Sequence, residues 1–112
     1  MEITEERRAD LLILRVIGKL DASTSKALEV KILPLIASSQ GKLVVDLSQL
    51  DYISSSGLRV FLLAAKRMDA AKGQMIICSL KDPVKQIFDI AGFSSFLTLA
   101  GSTEEAIKNL ED

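Results

Sequence analysis

The sequence predicts a small α/β domain with a mostly parallel central sheet, an antiparallel hairpin at its start and about four helices. Two observations carry that expectation. Short apolar runs of strand length, such as Leu43-Val44-Val45, alternate with longer segments of helical periodicity. After two opening strands, each helical segment stands between one strand and the next, in the order β-β-α-β-α-β-α-β-α. Right-handed crossovers then set those strands parallel.

Ile3 to Arg8 and Leu11 to Ile17 read as two strands, the second almost continuously apolar. Ala9-Asp10 between them is short enough to turn the pair into an antiparallel hairpin. Gly18-Lys19-Leu20-Asp21 breaks the apolar run, and Asp21 or Ser23 can cap a helix reaching to about Ala37. It carries Ala27, Val30, Leu33 and Leu35 on overlapping apolar faces. Pro34 removes one backbone donor inside it and leaves the Val30 carbonyl without its usual partner, so a kink or an early helix end is expected. Leu43 to Leu47 is the clearest buried strand.

A helix is expected from Gly57 to about Ala71, with Leu58, Phe61, Leu62, Ala65 and Met68 on one face. Val60, Leu63 and Ala64 widen its apolar surface, either by burial under a neighbouring helix or as a contact for a partner or a second copy. Gln74 to Ser79 is the next strand. Asp82 then acts as a cap and Pro83 as the first helical residue, with Val84, Ile87, Phe88 and Ala91 facing inward and Gly92 as the stop. Phe96 to Leu99 is a short last strand. Ser102 and Glu105 match a capping box for a final helix that buries Ala106 and Leu110.

Residues 1–112 read as one domain, since the length supports one core and no linker, low-complexity stretch or repeat divides it. A hydrophobic fraction of 48% argues against disorder. No apolar run approaches the roughly 20 residues that cross a bilayer, and the acidic start, Met1-Glu2-Ile3-Thr4-Glu5-Glu6, is unlike a signal peptide. A cytoplasmic protein without a membrane partner is expected. A net charge of −1, with Lys66-Arg67 and Arg7-Arg8 as isolated basic pairs, gives no footprint for nucleic acid.

The single cysteine, Cys78, has no disulfide partner and reads as a buried strand residue. The chain has no histidine, which removes Ser/His/Asp catalysis and the commonest metal ligand together. There is no P-loop and no Gly-x-Gly-x-x-Gly turn. The expectation is a protein that is not an enzyme, with no cofactor and no metal.

In parallel sheets, function gathers where strands end and helices begin, which points to residues 18–24 and 48–57. The second segment holds Ser54, Ser55, Ser56 and Gly57 at a helix start. One serine suffices as a cap, and the positive end of the helix dipole tolerates a phosphate on another. Asp21, Asp46 and Asp51 are candidates for the same end of the sheet, where they would make the surface negative. For Asp21, capping and partner contact stand side by side.

Taken together in their order and spacing, several segments resemble the STAS-domain family of anti-sigma factor antagonists. They are Gly18-Lys19-Leu20-Asp21, Val44-Val45-Asp46-Leu47, Tyr52 through Leu58, Pro83-Val84 through Phe88-Asp89, and Ala91-Gly92-Phe93. The resemblance covers nearly the whole chain. It implies a partner switch in which the unphosphorylated antagonist binds an anti-sigma factor serine kinase and frees the sigma factor. The kinase phosphorylates the first serine of an Asp-Ser-Ser-Gly-like motif, and a metal-dependent serine phosphatase reverses the step. Matched residue by residue, the acceptor is Ser55, followed by Ser56 and Gly57. Ser54 stands where the family often has an acidic residue, so Ser54 and Ser56 are competing acceptors.

The resemblance also places Asp21, Thr24, Ser54, Ser55, Ser56 and Gly57 on the partner surface, in a monomer or weak dimer. Two other roles are compatible with the same family: a STAS scaffold subunit of a stress-sensing assembly, and a STAS module that binds a small ligand. Stable oligomers in solution would mark the first, and a copurifying ligand the second.

Overall fold

A computed structural model of the chain describes residues 1–8, 10–38, 41–95 and 97–111. The elements follow as β1 (Glu2–Arg8), β2 (Leu11–Leu20), α1 (Ser25–Ser38), β3 (Lys42–Asp46), β4 (Leu50–Ile53), α2 (Ser55–Ala70), β5 (Gln74–Cys78), α3 (Asp82–Ile90), a 3-10 turn (Phe93–Ser95), β6 (Thr98–Ala100) and α4 (Thr103–Glu111). The sheet has six strands in the order β1-β2-β3-β5-β6, with β4 paired to β2. β1 runs antiparallel to β2, with Arg8 opposite Leu11, and every other pairing is parallel. The expected mixed sheet with its opening hairpin is therefore present. Of the predicted turn residues, Ala9 lies outside the described residues, as does Phe96 at the start of the predicted last strand; the strand observed there is Thr98–Ala100.

Side-chain alternation divides the sheet into two apolar faces. Leu12, Leu14 and Val16 of β2, Leu43 and Val45 of β3 and Ile77 of β5 face a large core completed by α1, α2 and α3. Leu11, Ile13, Val44, Ile76 and Cys78 face the other way, under Ala106 and Leu110 of α4. Phe61 of α2 and Phe88 of α3 meet in the larger core with ring centroids 6.4 Å apart. Val60 and Ala64 are buried there as well, whereas Leu62, Leu63 and Ala65 are only partly buried, so the wide apolar surface of α2 is covered in part by its neighbours within the fold.

Several local expectations are corrected. The inward face of α1 is Ser25, Leu28, Ile32 and Ile36, with Leu33 and Leu35 only partly buried against the core. Ala27 is exposed, and Val30 is 63% exposed. Pro34 shares that solvent side, and the helix continues past it to Ser38 rather than ending early. Water can take a carbonyl that a proline leaves unbonded on an exposed face, which is why the helix tolerates it. Ala91 is the exposed cap residue after α3, not part of its inner stripe. Asp82 opens α3 with Pro83 second, and Lys81 occupies the cap position without a side-chain cap bond. At α4 the Ser102 hydroxyl accepts from Glu105 N–H at 3.1 Å, as a capping box requires. The Glu105 carboxylate, however, reaches back to Gly101 N–H at 3.1 Å, one residue before the cap.

The largest departure is β4. Residues 48–57 were expected as one loop, and Gly18 to Asp21 as the end of a strand already finished at Ile17. Instead β2 continues to Leu20, bulging between Gly18 and Lys19, and β4 pairs beside it with Leu20 opposite Ile53. Gly18 has φ +101°, a conformation that L side chains rarely adopt, and this lets β2 shift register without ending.

Candidate functional site

Pairing of β2 with β4 brings the two predicted segments together as neighbouring strand ends. Ser54 N–H donates to the Leu20 carbonyl at 2.8 Å, and Gly18 N–H to Gln49 at 2.9 Å. Just beyond, the chain turns through 21–24 into α1 on one side and through Ser54 into α2 on the other. The starts of both helices therefore lie side by side above the strand ends.

Ser54 is the cap of α2, with extended backbone and a side chain that accepts Gly57 N–H at 3.2 Å. Serine and aspartate are about equally good in that role, so serine in place of the expected acidic residue keeps the helix capped. The helix begins at Ser55, two residues before the predicted Gly57. The requirement for glycine at 57 is one of space. A Cβ there would lie 2.8 Å from Leu20 Cδ2 and 2.9 Å from Ile53 Cγ1.

The three serines differ in environment. Ser55 is exposed, and its hydroxyl takes part in no hydrogen bond among the described residues. Ser54 and Ser56 are partly buried, with their hydroxyls 2.8 Å apart. Ser56 also lies 3.0 Å from the hydroxyl of Ser25, the first residue of α1. Ser25 is only 6% exposed, and its hydroxyl is 2.5 Å from the Asp21 carbonyl. That carbonyl can only accept, so Ser25 uses its proton there and must accept from Ser56; Ser56 in turn must accept from Ser54. The result is a one-way chain from Gly57 N–H through Ser54, Ser56 and Ser25 to Asp21, linking the starts of α2 and α1. Sequence reasoning missed Ser25. The only signal was a small polar residue on the same helical face as Leu28 and Ile32, three and seven positions on.

Asp21 and Thr24 hold the turn between β2 and α1. The Asp21 carboxylate accepts Ser23 N–H at 3.0 Å, the Ser23 hydroxyl at 2.7 Å and Thr24 N–H at 3.1 Å. Thr24 Oγ1 accepts Asp21 N–H at 2.9 Å and donates to the Lys19 carbonyl at 3.1 Å. The Ser23 hydroxyl, more than any other group, holds the Asp21 carboxyl below the usual carboxylate range.

The other two carboxylates expected at this end do not build a negative patch. Asp46 shares the parity of Val44 and so lies on the α4 face, 8% exposed, with Arg15 at 3.5 Å and the Thr103 hydroxyl at 3.2 Å. Asp51 is 2.5 Å from Lys81, whose ammonium is the main cause of its lowered pKa. Of the three, Asp21 alone shares a hydrogen-bonded turn with the serine chain.

Cys78 is fully buried, and its thiol is pushed up chiefly by that burial. A groove of about 570 Å³ lies at the opposite end of the strands, lined by Leu62, Lys66, Met68, Gln74, Leu97 and Asn109 among others. No residue of the serine chain lines it. Among the described residues no helix is long and apolar enough to cross a membrane.

Comparison with known proteins agrees with this architecture. A family model for the STAS domain matches residues 2–106. The chain is 36% identical over 106 residues to the candidate anti-sigma factor antagonist BtrV of Bordetella bronchiseptica, covering 95% of this chain and 91% of that protein. It is 29% identical over 112 residues to the anti-sigma F factor antagonist of Paenibacillus polymyxa, covering 99% and 96%. The Bacillus anti-sigma factor antagonist SpoIIAA, 21% identical, superposes with a TM-score of 0.82 in its unphosphorylated form, covering 98% of this chain and 96% of that one. Its phosphorylated form gives 0.73, covering 96% and 98%. At that identity the SpoIIAA match is a likeness of fold.

Proposed function

The chain belongs to the STAS domain family, and on that premise we propose that it is an anti-sigma factor antagonist switched by phosphorylation of Ser55. Unphosphorylated, it binds an anti-sigma factor serine kinase through Asp21, Thr24, Ser54, Ser55, Ser56 and Gly57, and so frees the sigma factor. A metal-dependent serine phosphatase restores the binding form. The protein itself is a regulator rather than an enzyme, a monomer or weak dimer of the cytoplasm.

The observation that carries this reading is the contrast among the serines. Ser55 is exposed at the first position of α2 and its hydroxyl is unbonded among the described residues, while Ser54 and Ser56 are tied into the hydroxyl chain. A phosphate on Ser55 adds a charge of about −1.5 to −2 with three strong acceptors. The N-terminal end of α2 receives it without refolding, because the first-turn N–H groups of Ser55 and Ser56 have no helical partner and the dipole there is positive. The cost falls on the complex. A partner surface shaped for neutral hydroxyls would have to strip water from a dianion beside the Asp21 turn. A loss of about 3 kcal/mol weakens binding more than a hundredfold.

The test is intact mass and peptide mapping after incubation with the cognate kinase and ATP. The native chain should gain one phosphate that Ser55→Ala lacks. Phosphate on Ser54 or Ser56 of the variant would move the acceptor. No phosphate on the native chain from a demonstrably active kinase would remove the switch.

A further inference from the structure

We propose that Ser25 is a positioning residue that reserves phosphorylation for Ser55, by holding the hydroxyls of Ser54 and Ser56 in a one-way chain that ends inside the fold. This rests on the phosphorylation switch proposed above and adds a determinant to it, on a different helix from the three serines. Phosphoryl transfer forms a bond between the acceptor oxygen and the γ-phosphorus of ATP. The bond to the ADP oxygen breaks, and the hydroxyl proton passes to a base on the kinase. The acceptor hydroxyl must therefore leave its present partners and reach a nucleotide outside the fold.

For Ser55 nothing has to be undone. Ser56 would have to withdraw its proton from Ser25 and stop accepting from Ser54. Ser54 would have to give up its donation to Ser56 and its cap on Gly57 N–H. Ser25 is what gives the chain its direction. Its proton is committed to the Asp21 carbonyl, and the residue is only 6% exposed, which limits competition from water for its lone pair. Without that terminal acceptor the Ser56 proton has no buried partner, and the hydroxyl is free to turn outward. The same bond ties the first residue of α1 to the start of α2, so Ser25 also sets how the two segments of the site sit together.

The experiment uses the full chain in a Ser55→Ala background, with the cognate kinase and ATP, and follows phosphate by peptide mapping. Ser55→Ala alone should take almost none. Adding Ser25→Ala should raise the rate at Ser56 or Ser54 roughly tenfold, the factor that corresponds to about 1.4 kcal/mol. Ser25→Thr, which keeps the hydroxyl, should return it to the background. A double variant that takes no more phosphate than Ser55→Ala overturns the role of Ser25.

Amide hydrogen exchange at Gly57, read by NMR without any kinase, separates this outcome from failure of the switch itself. Ser25→Ala should exchange that amide several-fold faster than the native chain, because the Ser54 hydroxyl that caps it loses its anchored neighbour. If the native chain takes no phosphate, the switch fails while the Gly57 amide still decides Ser25. Unchanged exchange then overturns the positioning role as well.

Discussion

Replacing Gly57 with alanine tests whether α2 is seated on the strand ends as closely as the structure requires. The new methyl would lie 2.8 Å from both Cγ and Cδ2 of Leu20 and 2.9 Å from Ile53 Cγ1. All three distances are below ordinary contact, and both side chains are buried in the core. Overpacking of that kind costs about 1–3 kcal/mol. Alanine returns up to about 1 kcal/mol of helix propensity, so the net loss is about 1 kcal/mol. For a domain of this size that lowers the melting temperature by about 4 °C.

Thermal and urea unfolding of the native chain, Gly57→Ala, Leu20→Ala and the double variant form a cycle. The double variant should be less destabilised than the sum of the singles by about 1 kcal/mol, because truncating Leu20 makes room for the methyl. A Gly57→Ala chain that melts at or above the native temperature, or a cycle that is strictly additive, would refute the steric account. The glycine would then have to be explained by the partner alone.

Further outcomes follow from the same geometry. Because Asp21 is held below the usual carboxylate range in the folded chain, its stabilising effect is present above that range and disappears as pH falls through the lowered value. Asp21→Asn should therefore lower the urea midpoint at about pH 7 and converge on the native chain as pH falls below the carboxylate range; a gap that stays constant with pH refutes the assignment. Ser55→Ala should change stability by less than about 0.5 kcal/mol, since the side chain is exposed and unbonded, and a larger loss by urea titration would mean that Ser55 is structural. Phe61→Ala should cost about 3–5 kcal/mol, from a ring with no exposure packed against Phe88, and a loss under about 1 kcal/mol would show that the core is built differently. The Cys78 thiol should react with an alkylating reagent only as fast as the fold opens; native-state labelling at the rate of a free thiol would contradict its burial.

Much of this protein is written in local patterns. The strands 11–17 and 43–47, the inner residues Leu58, Phe61 and Met68 of α2, and the capping serine before α4 all follow from period, propensity and caps within a few neighbouring residues. These are short-range effects, and the sequence carries them directly. The placement of the segment Ser54-Ser55-Ser56 at a helix start is of the same kind.

What the sequence did not reveal depends on partners distant along the chain. Leu50 to Ile53 is a strand only because the end of β2 lies beside it, and its burial follows no clean alternation. Pro34 is harmless because packing turned its side of α1 to water. Asp46 left the site because strand parity sends it to the α4 face, where Arg15 and Thr103 receive it.

Ser25 is the clearest case. The sequence marked residues 18–24 beside it but not Ser25 itself, whose partner hydroxyl lies 31 positions away on another helix. The sequence by itself determined the elements, their order and the serine-rich turn, because those arise from local chemistry. Tertiary structure alone decided which hydroxyls are engaged and which one is left facing solvent, because hydrogen bonds between helices exist only after both have packed on the sheet.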